Sequence, residues 1–146
     1  MLTQTTIVPH DENYLRELEE SFPTVDPGFT PLGERVLVQI RTPKTKSKGG
    51  ILLTENAKDT EKWNTQIARV HSVGPLAYHN RTDLSKWPEG DWVAPGDFVR
   101  CPKYGGDRFE VAIPGRQGEF ALFVTFQDHE MIGKVLGNPL EMKVYV

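Results

Sequence analysis

Long apolar runs, cysteine and an excess of one charge are all scarce in this sequence of 146 residues, and each scarcity closes off a class of protein. No run of about 18 apolar residues occurs, so no membrane-spanning helix is expected. The opening "MLTQTTIVPHDENYL" lacks a basic start followed by an apolar block, so no signal peptide is expected either. Cys101 is the single cysteine, which excludes an intramolecular disulfide and any cysteine-rich zinc site. A net charge of −3 gives no general pull toward nucleic acid or an anionic membrane. The histidines are dispersed: His71 and His79 are 8 positions apart, and His10 and His129 stand alone. None forms the i, i+4 pair of a helical metal site, and no metal or other cofactor is expected. What is left is a soluble, cytoplasmic chain of about one domain.

Glycine (13) and proline (11) are plentiful and punctuate the chain every eight to fifteen residues, a spacing that points to an all-β domain. In "RVLVQI", Val36, Val38 and Ile40 share one face, with Leu37 beside Gln39 and Arg41 on the other. "TQIARVHSV" places Ala68 and Val70 opposite Ile67 and Val73. "DFVRCP" is a strand after the turn at Pro95 and Gly96, with Cys101 expected as a buried strand residue. "RFEVAI" aligns Phe109, Val111 and Ile113. "EFALFVTF" is apolar on both faces and should lie centrally, covered on each side. "EMKVYV" alternates with Met142, Val144 and Val146 in phase. The one persuasive helix is "DENYLRELEE", capped by Asp11, with Tyr14, Leu15, Leu18 and Phe22 at helical spacing. "PTVDPG" then reads as a loose linker, which makes residues 1–29 an N-terminal extension.

Five segments in this order resemble the GroES co-chaperonin family: "PLGERVLVQI", "KSKGGILLT", "ARVHSVGP", "APGDFVRCPKYGG" and "EFALFVTFQDHEMIGKV". Pro31, Leu32, Arg35 and Val36 match its opening strand. Gly49 to Leu53 match its mobile loop, and Val73 and Gly74 a strand ending in Val-Gly. Gly96, Asp97 and Val99 match its Gly-Asp-x-Val strand, and Tyr104 and Gly105 a Tyr-Gly turn. The resemblance covers roughly 30–136. The departures are the N-terminal extension, an altered 74–96 segment and the tail 137–146; such divergence looks like that of phage-encoded members, which would act in a host cytoplasm.

The resemblance implies a GroES-like irregular β-barrel over 30–146 that assembles into a ring, a heptamer in the family, and acts without enzymatic activity. It implies that 44–60 is a mobile loop whose Gly49, Gly50, Ile51, Leu52 and Leu53 bind a GroEL-like chaperonin, the partner that carries the ATP/ADP chemistry. It also implies that 74–96 corresponds to a roof hairpin over the ring, and that a terminal strand pairs with the neighbouring subunit. The residues suit the docking role on their own account. Gly49 and Gly50 raise backbone freedom, and Lys44, Lys46 and Lys48 keep the segment solvated. Burying Ile51, Leu52 and Leu53 gives roughly 1.5–3 kcal/mol each, about 5–9 in all. Ordering the arm costs about 2–5 kcal/mol, which leaves roughly a millimolar contact. A ring of arms multiplies a weak grip through effective concentration. The bland reading is that "GGILLT" is a core strand after a glycine turn.

Parts of the sequence also bear on two other functions. Alcohol dehydrogenases contain a GroES-like domain, but zinc ligands and a G-x-G-x-x-G half are missing here. "KYGGDRFE" brings Gly105 and Gly106 beside Lys103 and Arg108 but lacks the phosphate-loop pattern and reads as a hairpin turn. The alternative from a different class is a single-strand nucleic-acid binder of OB type, with Trp87, Trp92, Tyr104 and Phe109 as stacking platforms; the net charge argues against it. Trp87 and Trp92 otherwise read either as rings packed over a barrel end or as part of a remodelled roof.

Overall fold

"RVLVQI" forms strand β1, Arg35–Ile40, which is buried at every position after Arg35 and lies in the interior of the sheet between two partner strands. The computed structural model describes residues 12–42 and 67–142. Helix α1 (Glu12–Ser21) precedes β1; then follow β2 (Ile67–Val73), β3 (Phe98–Arg100), β4 (Asp107–Ala112), β5 (Phe120–Gln127), a 3₁₀ turn (Asp128–Glu130) and β6 (Gly133–Lys134). All pairs are antiparallel, in the order β4-β5-β1-β2-β3-β6. Asp11, residues 43–66 and residues 143–146 lie outside the described residues.

Val36, Val38 and Ile40 face the main core, with Ala68 and Val70 of β2, Val99 of β3, and Val124 and Phe126 of β5. Strands β3 and β5 are separated by β1 and β2 in the sheet yet share this core. The sheet therefore curls around it, which is the irregular barrel that the resemblance implies, in the all-β domain that the strand pattern leads one to expect. The opposite face is covered too. Leu37 packs with Val25, Ile113, Ala121 and Phe123, and Phe109 stacks on Phe123 with ring centroids 5.5 Å apart. Strand β5 is thus apolar on both faces because both faces are buried.

Four expectations change. The extra residue of a β-bulge sits in β2, since Val36 pairs with Val73 while Val38 pairs with Val70. It returns Val73 to the face of Val70, against the main core, and not to the face of Ile67. The segment after α1 is no loose linker: Phe22 and Pro23 are fully buried and Val25 nearly so. "KYGG" is a turn, but it joins β3 to β4, which are not neighbours in the sheet, so it is not a hairpin. Glu141 and Met142 are not strand; Met142 packs back against Phe22, Ile67 and Val135, and the rest of "EMKVYV" lies outside the described residues. No helix among the described residues is long and apolar enough to cross a membrane.

Candidate functional site

The docking residues read from the sequence, Gly49 to Leu53, lie in 43–66 and so outside the described residues. Their two points of attachment are described, and they coincide. Ile40 pairs with Ala68, and the Arg41 amide donates to the Ile67 carbonyl at 3.1 Å. A connection of 24 residues, 43 through 66, thus leaves and rejoins adjacent antiparallel strands at a single point. Two such strands need a turn of only a few residues.

Around this root the sequence supplies an unusual set of polar contacts. A helix leaves its last four carbonyls without intrahelical partners. Here the carbonyls from Leu18 to Pro23 all have donors. Leu18 O accepts from the Phe22 amide at 2.7 Å, and Ser21 O from the Thr42 amide at 2.7 Å. Glu19 O and Glu20 O accept from the Arg116 guanidinium at 3.2 and 3.1 Å. Phe22 O accepts from Arg69 Nη2 at 2.9 Å, and Pro23 O from Gln39 Nε2 at 2.8 Å. Gln39 and Arg69 are cross-strand partners, joined at 3.2 Å through Gln39 Oε1. Burial lowers the Arg69 pKa from its ordinary value, with Glu19 acting in the other direction. The guanidinium lies 5.7 Å from the centre of the Phe22 ring.

The other end of the barrel carries the 74–96 segment. Gly74 marks its start, where an added Cβ would stand 2.4 Å from Gly33 O; only glycine lets these two backbones approach so closely. Tyr78 is fully buried, with φ of 61°. Its amide donates to Asp128 Oδ2 at 2.9 Å and its hydroxyl to Asp128 O at 3.1 Å. Burial, with Asp128 and Asp91 nearby, raises the phenol pKa well above its usual value. Trp87 and Trp92 close on Tyr78 with centroids 5.2 and 5.7 Å from it, packed against the main core. Between them Tyr78 and Trp87 close a small hairpin, whose tip, residues 80–86, is exposed. Arg81 there pairs with Glu34.

Cys101 is fully buried just past β3, and burial pushes its thiol up to about 12, which leaves it protonated and poorly nucleophilic at neutral pH. Among the described residues no group of three histidine, cysteine or carboxylate side chains could hold a metal ion. Asp97 turns out to be a turn residue: its carboxylate accepts from the Ala94 amide at 2.9 Å and meets Lys134 Nζ at 3.3 Å.

Residues 28–135 match the family described as "Chaperonin 10 Kd subunit". The chain belongs to this family. Among relatives, it is 37% identical over 104 residues to the "10 kDa heat shock protein, mitochondrial" of Schizosaccharomyces pombe, covering 71% of this chain and 86% of that one. It is 35% identical over 83 residues to "Co-chaperonin GroES" of Caulobacter vibrioides, covering 57% and 78%. To the protein of that name in Methylacidiphilum infernorum it is 38% identical over 91 residues, covering 62% and 82%. The Chaperonin 10 Kd subunit family consists of non-enzymatic co-chaperonins, and co-chaperonin is the function of this chain. Nothing favours the nucleic-acid reading: Trp87, Trp92 and Phe109 are spent on packing, and only Tyr104 of the four stands largely exposed. Helix α1 and everything after Val135 lie outside the family match.

The contacts around Phe22, Gln39, Arg69, Tyr78 and Asp128 were not read from the sequence. Gln39 and Arg69 carry the signal of ordinary outward polar positions in an alternating strand. The only hint was that a helix ending in "LEESFP" has no capping glycine or basic residue of its own, so its carbonyls needed donors from elsewhere.

Proposed function

We propose that this co-chaperonin closes a GroEL-like chaperonin as a ring-shaped lid, gripping it through Gly49, Gly50, Ile51, Leu52 and Leu53. Membership of the family carries with it a chaperonin partner and a ring as the assembled form; seven subunits and ATP/ADP bound by the partner are the finer reading. Within the chain, 30–146 is the barrel domain, 44–60 the docking arm, 74–96 the roof segment and 137–146 a tail beside the subunit interface. Residues 1–29 are an extension applied to the barrel.

The observation that carries the reading is the coincident root of the arm. Twenty-four residues, 43 through 66, are inserted where the Ile40–Ala68 pairing needs only a short turn. Connections of that length in a compact domain are usually functional. The apolar triplet sits near its middle, flanked by glycines and lysines. The arm and the 74–96 segment also leave β2 at opposite ends, about 20 Å apart for a strand of this length. A lid needs that polarity, with its grip on one side and its closed surface on the other.

Leu52→Asp and Leu53→Asp test it. Each is expected to abolish binding to a purified GroEL-type chaperonin in the presence of ATP, with native mass and melting temperature close to the parent. A loss of stability of the size that damage to a core residue produces, about 2–5 kcal/mol, would show the triplet to be a core strand instead.

A further inference from the structure

We propose that the two additions that lie outside the family match, α1 at one end and the segment after Val135 at the other, form a brace that fixes the direction in which the docking arm leaves the barrel. The proposal rests on the reading of 44–60 as the arm, and it assigns a positioning role to Phe22, Leu140 and their neighbours.

The two additions meet at the root of the arm. Phe22, Ile67 and Val135 form one buried cluster, and Leu18, Phe98, Leu140 and Met142 pack against it. Ile67 is the first described residue after the arm, and Thr42 the last before it. Thr42 is tied by its amide to Ser21 O of α1, and Arg41 by its guanidinium to Pro139 O of the tail at 3.4 Å. The outgoing leg is therefore held by both additions. The returning leg is held through Ile67 in the cluster and through Arg69, which donates to Phe22 O.

This arrangement does more than stabilise the sheet. Strands β1 and β2 are already paired along their length and share the main core. Besides their contacts within the strands, the additions reach beyond the last strand pair, to Arg41 and Thr42, where the chain would otherwise be leaving the sheet. Fixing the backbone of residues in advance removes an ordering cost that binding would otherwise bear. A ring multiplies the effect, since arms with a common exit direction reach their sites together.

The test uses full-length Phe22→Ala and Leu140→Ala, with Leu52→Asp as the reference. Three quantities are measured well below the melting transition: affinity for a GroEL-type chaperonin with ATP, native mass, and hydrogen exchange at the Thr42 amide. Both variants are expected to keep the parent's mass, to exchange Thr42 faster, and to bind about tenfold or more weakly. Phe22→Leu should restore much of the loss. A purely structural role would lower the melting temperature without moving affinity at low temperature. If Phe22→Ala fails to fold, Leu140→Ala, at a half-buried position, carries the test alone. Parent-like affinity in the folded variants, while Leu52→Asp does not bind, overturns the brace and leaves the arm intact. Parent-like binding by Leu52→Asp overturns the arm itself.

Discussion

Cys101 shows how much a single side chain is governed by where the strand puts it. Its thiol is pushed up to about 12 by burial, whereas an unfolded thiol titrates near 8.5. The folded state therefore holds a proton that the unfolded state gives up between these values. Stability from this group is full below about pH 8.5 and falls as pH rises toward 12. The same burial predicts that iodoacetamide at pH 8 labels Cys101 slowly in the native protein and rapidly in denaturant. Rapid native labelling would mean that the strand end opens readily. A Cys101→Ser variant should lose the decline that the thiol causes above pH 8.5.

At the scale of elements, α1 and the segment behind it change from appendage to structural partner. Removing 1–29 would strip Val25 from Leu37 and Phe22 from Ile67, and would leave Gln39 without its Pro23 acceptor. Losing a buried phenylalanine alone costs about 3–5 kcal/mol, against a total stability of roughly 5–15. The expected outcome is loss of a cooperative urea transition for the 30–146 fragment, whereas a chain starting at Glu12 keeps it. An unchanged transition in the shorter fragment would return the segment to the status of a loose extension. Sequence alone could not show this, because Pro23 and Val25 sit in an irregular stretch with no period to read, and the helical spacing of Phe22 does not tell what its side chain docks against. The strands differ: Val36, Val38 and Ile40, or Phe109, Val111 and Ile113, display their shared face directly in their spacing. The bulge that turns Val73 inward was also illegible, since an inserted residue leaves no mark on composition. As for the site, the ordered GroES-like motifs were readable, while the donors that hold the arm's root looked like ordinary polar strand positions.

For the whole molecule, the edges of the sheet govern how one barrel meets the next. The sheet ends at β4 on one side and at the two-residue β6 on the other. Ile132 and Leu136, exposed at 59% and 49%, flank β6, and an edge bordered by exposed apolar side chains invites pairing with another chain. Replacing both by Asp is expected to yield monomers at a concentration where the parent sediments as a ring, with the barrel's own unfolding little changed. A ring that persists would move the interface to the β4 edge.

The pairing of β1 with β5 also sets a clock on biosynthesis. Ile40, the last residue of β1, leaves the ribosome 80 residues ahead of Phe120, which begins the strand that pairs along the other edge of β1. At about 5–20 residues per second, β1 waits on the order of 4–16 s for that partner. Antiparallel contacts of such long range also close slowly once available. Val36, Leu37 and Val38 stay only partly sheltered through this interval. A co-chaperonin built this way is, during its own translation, a late-closing chain of the kind that benefits from protection by others.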